Sequence, residues 1–286
     1  MVTEQQNSTQ GEIVERFRRE LEEVEPTFRR RILEKFILAA LGSIPWVGGV
    51  LSAAASFKTE SSAVRQNALQ TEWLKEHERK IQELQHTLTN IDARFQSLGP
   101  AIDERIQSEE YLGLVRKAFR LWDTAETMEK RHYMANIIVN SAGTRVCSDD
   151  VVRLFMDWLS TYHESHFAVI REIFKNPGVS RFDIWSVLYA DIPREDSAEA
   201  DLFRLLIRDL STGGVIRQAR ETDFTGRFLR KTRPRRAGSA PSTMESAFED
   251  SKPYVLTELG KQFVHYTMNE VVARLEEPAQ DRAPDA

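Results

Sequence analysis

Apolar residues recur with helical spacing near the start of the chain, after ten polar residues that we expect to be disordered. From Gly11, the segment GEIVERFRRELEEVEP places Ile13, Phe17 and Leu21 on one side of a helix. Proline lacks the amide hydrogen that a helix interior needs, so we expect Pro26 to interrupt this helix. The pattern therefore predicts an amphipathic helix that begins near Gly11 and ends before Pro26.

A long stretch without charge follows a cluster of basic residues. It reads FILAALGSIPWVGGVLSAAASF, 22 residues at positions 36–57, in a chain where 29% of residues are charged. A helix of this length spans about 33 Å, enough to cross the hydrocarbon core of a membrane. Basic residues before such a segment hold its N-terminal side in the cytosol. Here they are Arg29, Arg30, Arg31 and Lys35.

Glycine and proline in the middle of this stretch favour a helical hairpin over one straight span. We expect one arm at 36–41, a turn at 45–49 and a second arm at 50–57. Small residues four positions apart let two helices approach closely, in lipid or in a protein core. The sequence leaves both locations open. The predicted membrane or self-association residues are Phe36, Leu41, Gly42, Pro45, Trp46, Gly48, Gly49, Ser52, Ala53, Ser56 and Phe57.

Apolar residues after this stretch follow the alternating spacing of a coiled coil. Their intervals are 7, 3, 4, 3, 4, 3 and 4 residues, a heptad pattern over about four heptads. Gly99 and Pro100 are expected to break the helix near its end. An amphipathic helix that packs on its own chain shows the same pattern, so both arrangements remain open. The seam consists of Leu74, Ile81, Leu84, Leu88, Ile91, Phe95, Leu98 and Ile102.

The middle of the chain contains three further helical patterns. The first, IDERIQSEEYLGLVRKAFRLWDTA, has Leu112, Val115 and Phe119 on one face. The second is ETMEKRHYMANIIVNSA, and the third, VVRLFMDWLSTYH, follows Asp149 and Asp150. Carboxylates are favoured at a helix N-terminus by the helix dipole. We therefore interpret the paired aspartates as helix N-terminal residues and not as an acid–base pair.

The last third of the chain predicts three helices followed by two strands. The helices read SHFAVIREIFKNPG, SRFDIWSVLYADI with Ser180 as its N-cap, and AEADLFRLLIRDL. The segments VIRQARE and PYVL predict strands, and a closing helix follows. Three helices and a two-stranded ribbon are the plan of a winged helix. We expect a mainly α protein with an N-terminal helical hairpin and coiled-coil region and a C-terminal winged-helix (α+β) domain.

These patterns divide the chain into five segments. They are a disordered start at 1–10, the amphipathic helix and apolar hairpin at 11–60, a helical and coiled-coil region at 61–160, a winged-helix-like domain at 161–275 with a long basic wing at 217–250, and a disordered acidic tail at 276–286.

The third helix of the winged-helix segment would be its recognition helix. Its apolar residues, including Leu202 and Leu205, are expected to be largely core. Its predicted exposed residues are Glu199, Asp201, Arg204, Arg208 and Asp209. This mixture of charges would not be drawn strongly to phosphates.

The wing has a different charge. Residues 217–236 include eight basic side chains and only two acids, Glu221 and Asp223. Such a loop can bind a phosphate backbone without reading sequence, although a solvated tip or a contact with anionic lipid fits the same composition. The candidate phosphate-binding residues are Arg227, Arg230, Lys231, Arg233, Arg235 and Arg236.

Composition restricts the classes of protein to which the chain can belong. A formal net charge of −5 does not indicate a nucleic-acid-binding protein as a whole. The single cysteine, Cys147, excludes an internal disulfide framework and a multi-cysteine zinc site. The polar first residues do not resemble a signal peptide, so we expect a cytoplasmic protein that meets the inner membrane if the hairpin inserts.

No catalytic motif is evident. The chain contains no GxxxxGK[ST], GxGxxG, GxSxG or HExxH. His163 and His166 have helical spacing, but a zinc site needs three or four ligands held together. We therefore expect a non-enzymatic protein with no catalytic residues, no metal, no cofactor and no small-molecule substrate.

The order of these features resembles a group of largely uncharacterised bacterial proteins. The resemblance covers residues 30–270 and is carried by the IPWVGG segment, the coiled-coil-like helix, the block SEEYLGLVRKAFRLWDTAETMEKRHYMANIIVNSA and the winged helix. The EKRHYMANIIVNSA helix followed by the winged helix is also similar to Abi-alpha-like proteins linked to phage resistance. The resemblance implies a non-enzymatic bacterial protein that acts in defence or at a membrane. The long basic insertion at the wing departs from this pattern.

Three functional hypotheses follow. In the leading one, the chain self-associates, contacts the inner membrane through residues 36–57 and acts as an abortive-infection-type effector of phage defence. In the alternative, a winged-helix DNA-binding regulator uses the basic wing, with the coiled coil as its dimer element. A third is an adaptor whose activity depends on a partner. The expected partners are a second copy of the chain, the inner membrane, and a nucleic acid or protein at the winged helix.

Overall fold

The computed structural model describes residues 27–47, 68–189, 191–220, 225, 227 and 246–268. Within these residues there are ten α-helices and one antiparallel sheet of two short strands. The prediction of a mainly helical protein is confirmed. The chain divides into two compact units, with boundaries between Ser160 and Thr161 and between His265 and Tyr266.

The described part of the first unit is built mainly from helices. They are α1 (Thr27–Gly42), α2 (Ala68–Leu98), α3 (Asp103–Gln107), α4 (Glu109–Thr124), α5 (Met128–Gly143) and α6 (Asp149–Thr161). A 3-10 helix at Gly99–Ile102 joins α2 to α3. Gly99 has φ +71°, a conformation that glycine adopts without steric cost. The predicted break after Leu98 is confirmed.

The pattern that predicted one helix from Ile102 to Ala125 forms two. Ser108 has extended backbone and separates α3 from α4, and its Oγ accepts a hydrogen bond from the Tyr111 amide at 3.4 Å. Glu109 and Glu110 follow in the first turn of α4, where the helix dipole favours them. The Ser–Glu–Glu sequence is an N-terminal capping signal inside a continuous apolar periodicity, and the capping signal determines the backbone here.

Aromatic side chains form the core of the first unit. Phe36 of α1, Phe95 of α2 and Phe119 of α4 are all buried, and Trp122 lies beside Phe119 with ring centroids 6.4 Å apart. Tyr111 is fully buried and donates a hydrogen bond from Oη to the Ile138 carbonyl at 2.7 Å. Burial raises the pKa of this phenol, and the nearby Arg105 opposes the rise only in part.

The second unit contains the predicted three helices and two strands. They are α7 (Glu164–Lys175), α8 (Arg181–Leu188), α9 (Ala198–Thr212), β1 (Ile216–Gln218) and β2 (Tyr254–Leu256), followed by α10 (Glu258–Thr267), whose last two residues belong to the first unit. The strands are antiparallel, with Ile216 opposite Leu256 and Gln218 opposite Tyr254. β1 is shorter than the predicted strand VIRQARE.

A single bridge lies on the other edge of β2. The Gly178 amide donates to the Tyr254 carbonyl and the Tyr254 amide donates to the Val179 carbonyl, each at 2.8 Å. On the edge that faces β1, the Ala219 amide donates to the Pro253 carbonyl at 2.7 Å. Gly178, with φ +97°, turns the chain after α7 so that Val179 reaches the sheet.

The N-terminus of α8 is a capping box, which confirms Ser180 as its N-cap. Ser180 Oγ accepts from the Asp183 amide at 3.1 Å, and Asp183 Oδ2 accepts from the Ser180 amide at 2.9 Å. Hydrogen bonds from the Ser180 amide and hydroxyl hold the pKa of the Asp183 carboxyl below its usual value. Further along α8, Trp185 packs with Phe203 and Phe248 at centroid distances of 5.2 and 5.1 Å.

Two buried asparagines of α5 bind the last carbonyls of α10, in the first unit. Asn136 Nδ2 donates to the Thr267 carbonyl at 2.7 Å, and Asn140 Nδ2 donates to the Tyr266 carbonyl at 3.0 Å. Arg94 of α2 donates to the side-chain oxygens of both asparagines, at 2.7 and 3.4 Å. Carbonyls at a helix C-terminus lack partners within the helix, so this network satisfies groups that burial would otherwise leave unbonded.

Candidate functional site

An open groove of about 860 Å³ lies on the second unit beside α9 and the two strands. Its floor includes the buried residues Ile207, Ile216 and Tyr254. The charged residues that line it are Arg181, Arg204, Arg208, Arg217, Arg220 and Asp201. Five guanidinium groups and one carboxylate give this lining a formal charge of +4.

Secondary structure places these side chains on one surface. Asp201, Leu205 and Arg208 are three or four residues apart and therefore share a face of α9. In β1, successive side chains point to opposite faces, so Ile216 is buried while Arg217 is exposed. The groove thus forms where the outer face of a helix meets the outer face of a strand.

The exposed face of α9 differs from the predicted one. Leu202 and Leu205 were expected to be largely core, but 50% and 39% of their surfaces are exposed. Arg204 was expected to be exposed, but only 19% of its side chain is accessible. The apolar residues of α9 are too many to lie on one buried face of a helix. The residues that are buried are Ala200, Phe203, Leu206, Ile207 and Leu210.

Three arginines of the groove are exposed. The Arg208 side chain is 73% accessible, and its Nε lies 4.0 Å from Asp209 Oδ1. Arg217 and Arg220 are exposed in and just after β1. These three residues, Arg208, Arg217 and Arg220, are the exposed arginines of the groove.

Arg204 and Arg181 use their donors within the protein. Arg204 Nη1 donates to Asp201 Oδ1 at 2.8 Å and to the Glu195 carbonyl at 3.1 Å. Arg204 Nη2 donates to the same carbonyl at 3.1 Å and to Glu195 Oε2. Arg181 donates from Nε and Nη2 to Tyr254 Oη at 3.1 and 2.9 Å. These two arginines therefore stabilise the walls of the groove.

Glu195 connects the wall of the groove to Ser246 and Ala247, near the end of the segment predicted as the wing. Its carboxylate accepts from Ser246 Oγ, from the Ala247 amide at 3.0 Å and from Arg204. Burial alone would raise the pKa of this carboxyl, but these hydrogen bonds and the Arg204 charge together hold it below the usual value. Glu195 is therefore an ionised group that fixes residues 246 and 247 beside α9.

The apolar stretch packs into the first unit over the residues that the structure describes. Phe36 is 1% exposed and Ile44 is 2% exposed, and Trp46 Nε1 donates a hydrogen bond to Asp123 Oδ1 at 2.6 Å. Leu41 is half-buried, while Gly42 and Pro45 are exposed. The second predicted arm lies outside the described residues, and with it Gly48, Gly49, Ser52, Ala53, Ser56 and Phe57. No helix in the described part of the chain is long and apolar enough to cross a membrane.

The first arm and the turn differ from the predicted hairpin. α1 begins at Thr27, so the basic residues before position 36 belong to the same helix. The chain turns at Ser43 and Ile44, and residues 45–47 are helical again. Proline is favoured at the first position of a helix because its fixed φ suits that position, so Pro45 begins a helical turn.

The heptad seam packs on the chain itself over its described length. Leu84, Leu88, Ile91 and Phe95 are buried in the first unit. A Cβ atom at Gly143 would lie 3.2 Å from Leu98 Cδ1, so Leu98 also meets α5 closely. Ile81 is half-buried, Ile102 is buried in the 3-10 helix, and the side chain of Leu74 lies outside the described residues. Of the two arrangements that the sequence left open, this is the amphipathic helix on its own chain.

The remaining candidates are placed as follows. Arg227 is exposed, whereas Arg230, Lys231, Arg233, Arg235 and Arg236 lie outside the described residues. Asp149 begins α6 and forms an ion pair with Arg105. The His163 amide donates to His166 Nδ1 at 3.1 Å, and no group of metal-binding side chains is found in the described ranges.

Sequence reasoning missed the groove. Arg181 and Tyr254 are 73 positions apart, so only the fold brings them together. Arg217 and Arg220 had a local signal, because both belong to the segment VIRQAR, whose pattern predicts a strand. Both arginines count among the eight basic residues of 217–236, and the sequence pattern gives them no role apart from that segment.

Comparison with family models, with curated proteins and with solved structures finds no match to this chain.

Proposed function

We propose that the second unit is a winged helix that binds the phosphate backbone of double-stranded DNA through the groove. Its elements follow the order helix, single bridge residue, helix, helix and two-stranded ribbon, from α7 through Val179 to β2. In that plan, the third helix is the recognition helix that meets the duplex, and the ribbon lies beside it. The groove lies between these two elements, which supports the proposal.

The observation that carries the proposal is the charge of the groove. Five of its lining residues are arginines and one is an aspartate, in a chain with a net charge of −5. Guanidinium groups bind phosphate oxygens through charge-assisted, often bidentate hydrogen bonds. A local excess of positive charge on an acidic protein concentrates polyanions at that surface.

The composition of the α9 face favours contact with phosphates over reading of bases. Base edges in the major groove are read by side chains such as Arg, Asn and Gln. The outer face of α9 instead presents Leu202 and Leu205, with Arg208 as its exposed cation. Binding would therefore depend little on nucleotide sequence.

A matched pair of triple variants tests the proposal on the full-length chain. Arg208, Arg217 and Arg220 are replaced by alanine in one variant. The control replaces Lys175, Arg194 and Lys261, which are exposed cations of the same unit outside the groove. Affinity for a fluorescent duplex is measured by anisotropy at low salt.

The groove variant is expected to lose at least about tenfold in affinity, because three phosphate contacts are removed. The control is expected to change affinity by less than about threefold, since it loses the same charge at a distance. Equal losses in the two variants would contradict binding in the groove.

Membrane contact with self-association and a role in phage defence is a second proposal. The observation that favours it is Leu38, which is 70% exposed on α1 at the start of the apolar stretch. Phe36 and Ile44 do not support it, because they are buried in the protein. The full-length chain would float with anionic liposomes, and Leu38→Glu would weaken this more than Met128→Glu, a change at another exposed apolar residue. Failure of the wild-type chain to float would exclude this proposal.

A further inference from the structure

We infer that Asp201 limits the affinity of the groove for polyanions. The inference rests on the proposed function of the groove. It concerns the part of the lining near the N-terminus of α9, where Asp201 and Arg204 lie.

Asp201 is placed to meet any ligand that occupies the groove. Its side chain is 68% exposed, and it is the one carboxylate among the charged residues that line the described groove. A carboxylate at such a position repels phosphates, because both carry negative charge and the separation is shorter than the screening length of about 10 Å at 0.1 M salt.

Arg204 does not offset this repulsion. Each of its terminal nitrogens has two hydrogens, and each already donates to two acceptors: Nη1 to Asp201 and the Glu195 carbonyl, and Nη2 to that carbonyl and the Glu195 carboxylate. Its Nε is buried. No accessible hydrogen of Arg204 is left for a phosphate oxygen.

The charged residues of the groove differ in their surroundings. The Arg204 guanidinium lies between two carboxylates, those of Asp201 and Glu195. Arg208, Arg217 and Arg220 are exposed. A duplex would therefore be held by these three arginines, and the Asp201 carboxylate would reduce the attraction.

The matched variants are Asp201→Asn and Glu199→Gln. Both residues are acids in the first turn of α9, and both changes remove one negative charge with little change in shape. Only Asp201 lines the groove. Asp201→Glu is the conservative reference, and Asp201→Ser is a second neutral variant in case the amide disturbs the turn. Thermal melting of each variant checks that the fold is intact.

Affinity for the same labelled duplex is measured by anisotropy at low salt. Asp201→Asn or Asp201→Ser is expected to bind about three- to tenfold more tightly than the wild-type chain. Glu199→Gln is expected to change affinity by less than about twofold, and Asp201→Glu is expected to bind like the wild-type chain.

The outcomes separate this inference from the proposed function. Unchanged affinity in the neutral Asp201 variants, or an equal gain in Glu199→Gln, would overturn the role of Asp201 while the groove variant still tests DNA binding. Absence of binding by the wild-type chain and by every variant would overturn both.

Discussion

Phe36 and Phe95 meet edge to face in the core of the first unit, with ring centroids 5.3 Å apart and ring planes at 77°. Phe36 opens the uncharged stretch, and Phe95 belongs to the heptad seam. Edge-to-face pairs of buried aromatic rings contribute to stability beyond the area that they bury. The two segments that the sequence offered as contacts with lipid or with a second chain are therefore packed, at this point, against each other.

Replacement of Phe36 by alanine is expected to lower the free energy of unfolding by about 3–5 kcal/mol, because the buried ring leaves a cavity beside Phe95 and Phe119. Leu38→Ala, two residues along the same helix, removes a side chain that is 70% exposed and is expected to cost less than about 0.5 kcal/mol. Urea denaturation followed by tryptophan fluorescence measures both. If Phe36→Ala lowered the free energy of unfolding as little as Leu38→Ala, Phe36 would not be in the core.

Two glycines in helices are expected to respond to alanine in opposite directions. A Cβ atom at Gly260 of α10 would lie 2.1 Å from the Val215 carbonyl oxygen, whereas one at Gly113 of α4 would meet nothing within 4 Å. Gly260→Ala is expected to cost about 1–3 kcal/mol, because a backbone carbonyl must shift. Gly113→Ala is expected to gain up to about 1 kcal/mol, because alanine has the higher helix propensity.

Melting temperatures of the two variants check these signs. An increase for Gly260→Ala would mean that the close approach of α10 to Val215 is not present in solution.

Local signals in the sequence predicted several of the elements correctly. The break at Gly99, the N-cap at Ser180 and a strand within VIRQARE each depend on a few neighbouring residues, and each is present in the structure. Capping at Ser108 was missed because the apolar periodicity on both sides of it continues without a gap.

Burial and the groove could not be predicted in the same way. The periodicity of α2 is the same for a seam between two chains and for a face packed on one chain, so the partner of Phe95 was not determined by spacing. For α9, every apolar residue of LFRLLIRDL was assigned to the core, although a helix buries only one stripe. The groove joins residues that are far apart in the chain, and its charge becomes visible only when the fold assembles them.

Acid is expected to weaken the capping box of α8. The folded-state pKa of Asp183 is lowered by the Ser180 amide and hydroxyl, so the unfolded chain binds this proton first as the pH falls. The stability that Asp183 contributes is therefore fully present above its ordinary value of 3.8 and is lost as the pH falls through the folded pKa. Asp183→Asn removes this contribution at neutral pH and makes stability fall less steeply in acid.

Urea midpoints measured from neutral pH to below the ordinary aspartate pKa test this expectation, with Asp250→Asn as the control at an exposed aspartate of the same unit. An acid dependence that is the same in the wild-type chain and in Asp183→Asn would contradict the capping role.

The charge of RKTRPRR provides a further comparison for DNA binding. Arg230, Lys231, Arg233, Arg235 and Arg236 belong to the wing, outside the described residues. If the groove is the main contact, their joint replacement by alanine is expected to reduce duplex affinity less than replacement of Arg208, Arg217 and Arg220. Anisotropy at one salt concentration measures the order, and the reverse order would assign the main contact to the wing.

The salt dependence of duplex binding tests the central claim most directly. Each phosphate that an arginine neutralises releases a counterion, so the logarithm of the binding constant falls with the logarithm of salt concentration with a slope of about −0.9 per contact. The wild-type chain is expected to bind at low salt with a steep slope, and the Arg208, Arg217 and Arg220 triple-alanine variant is expected to show a slope shallower by about 2–3. An identical slope for both proteins, or no binding by the wild-type chain at low salt, would contradict phosphate binding in the groove.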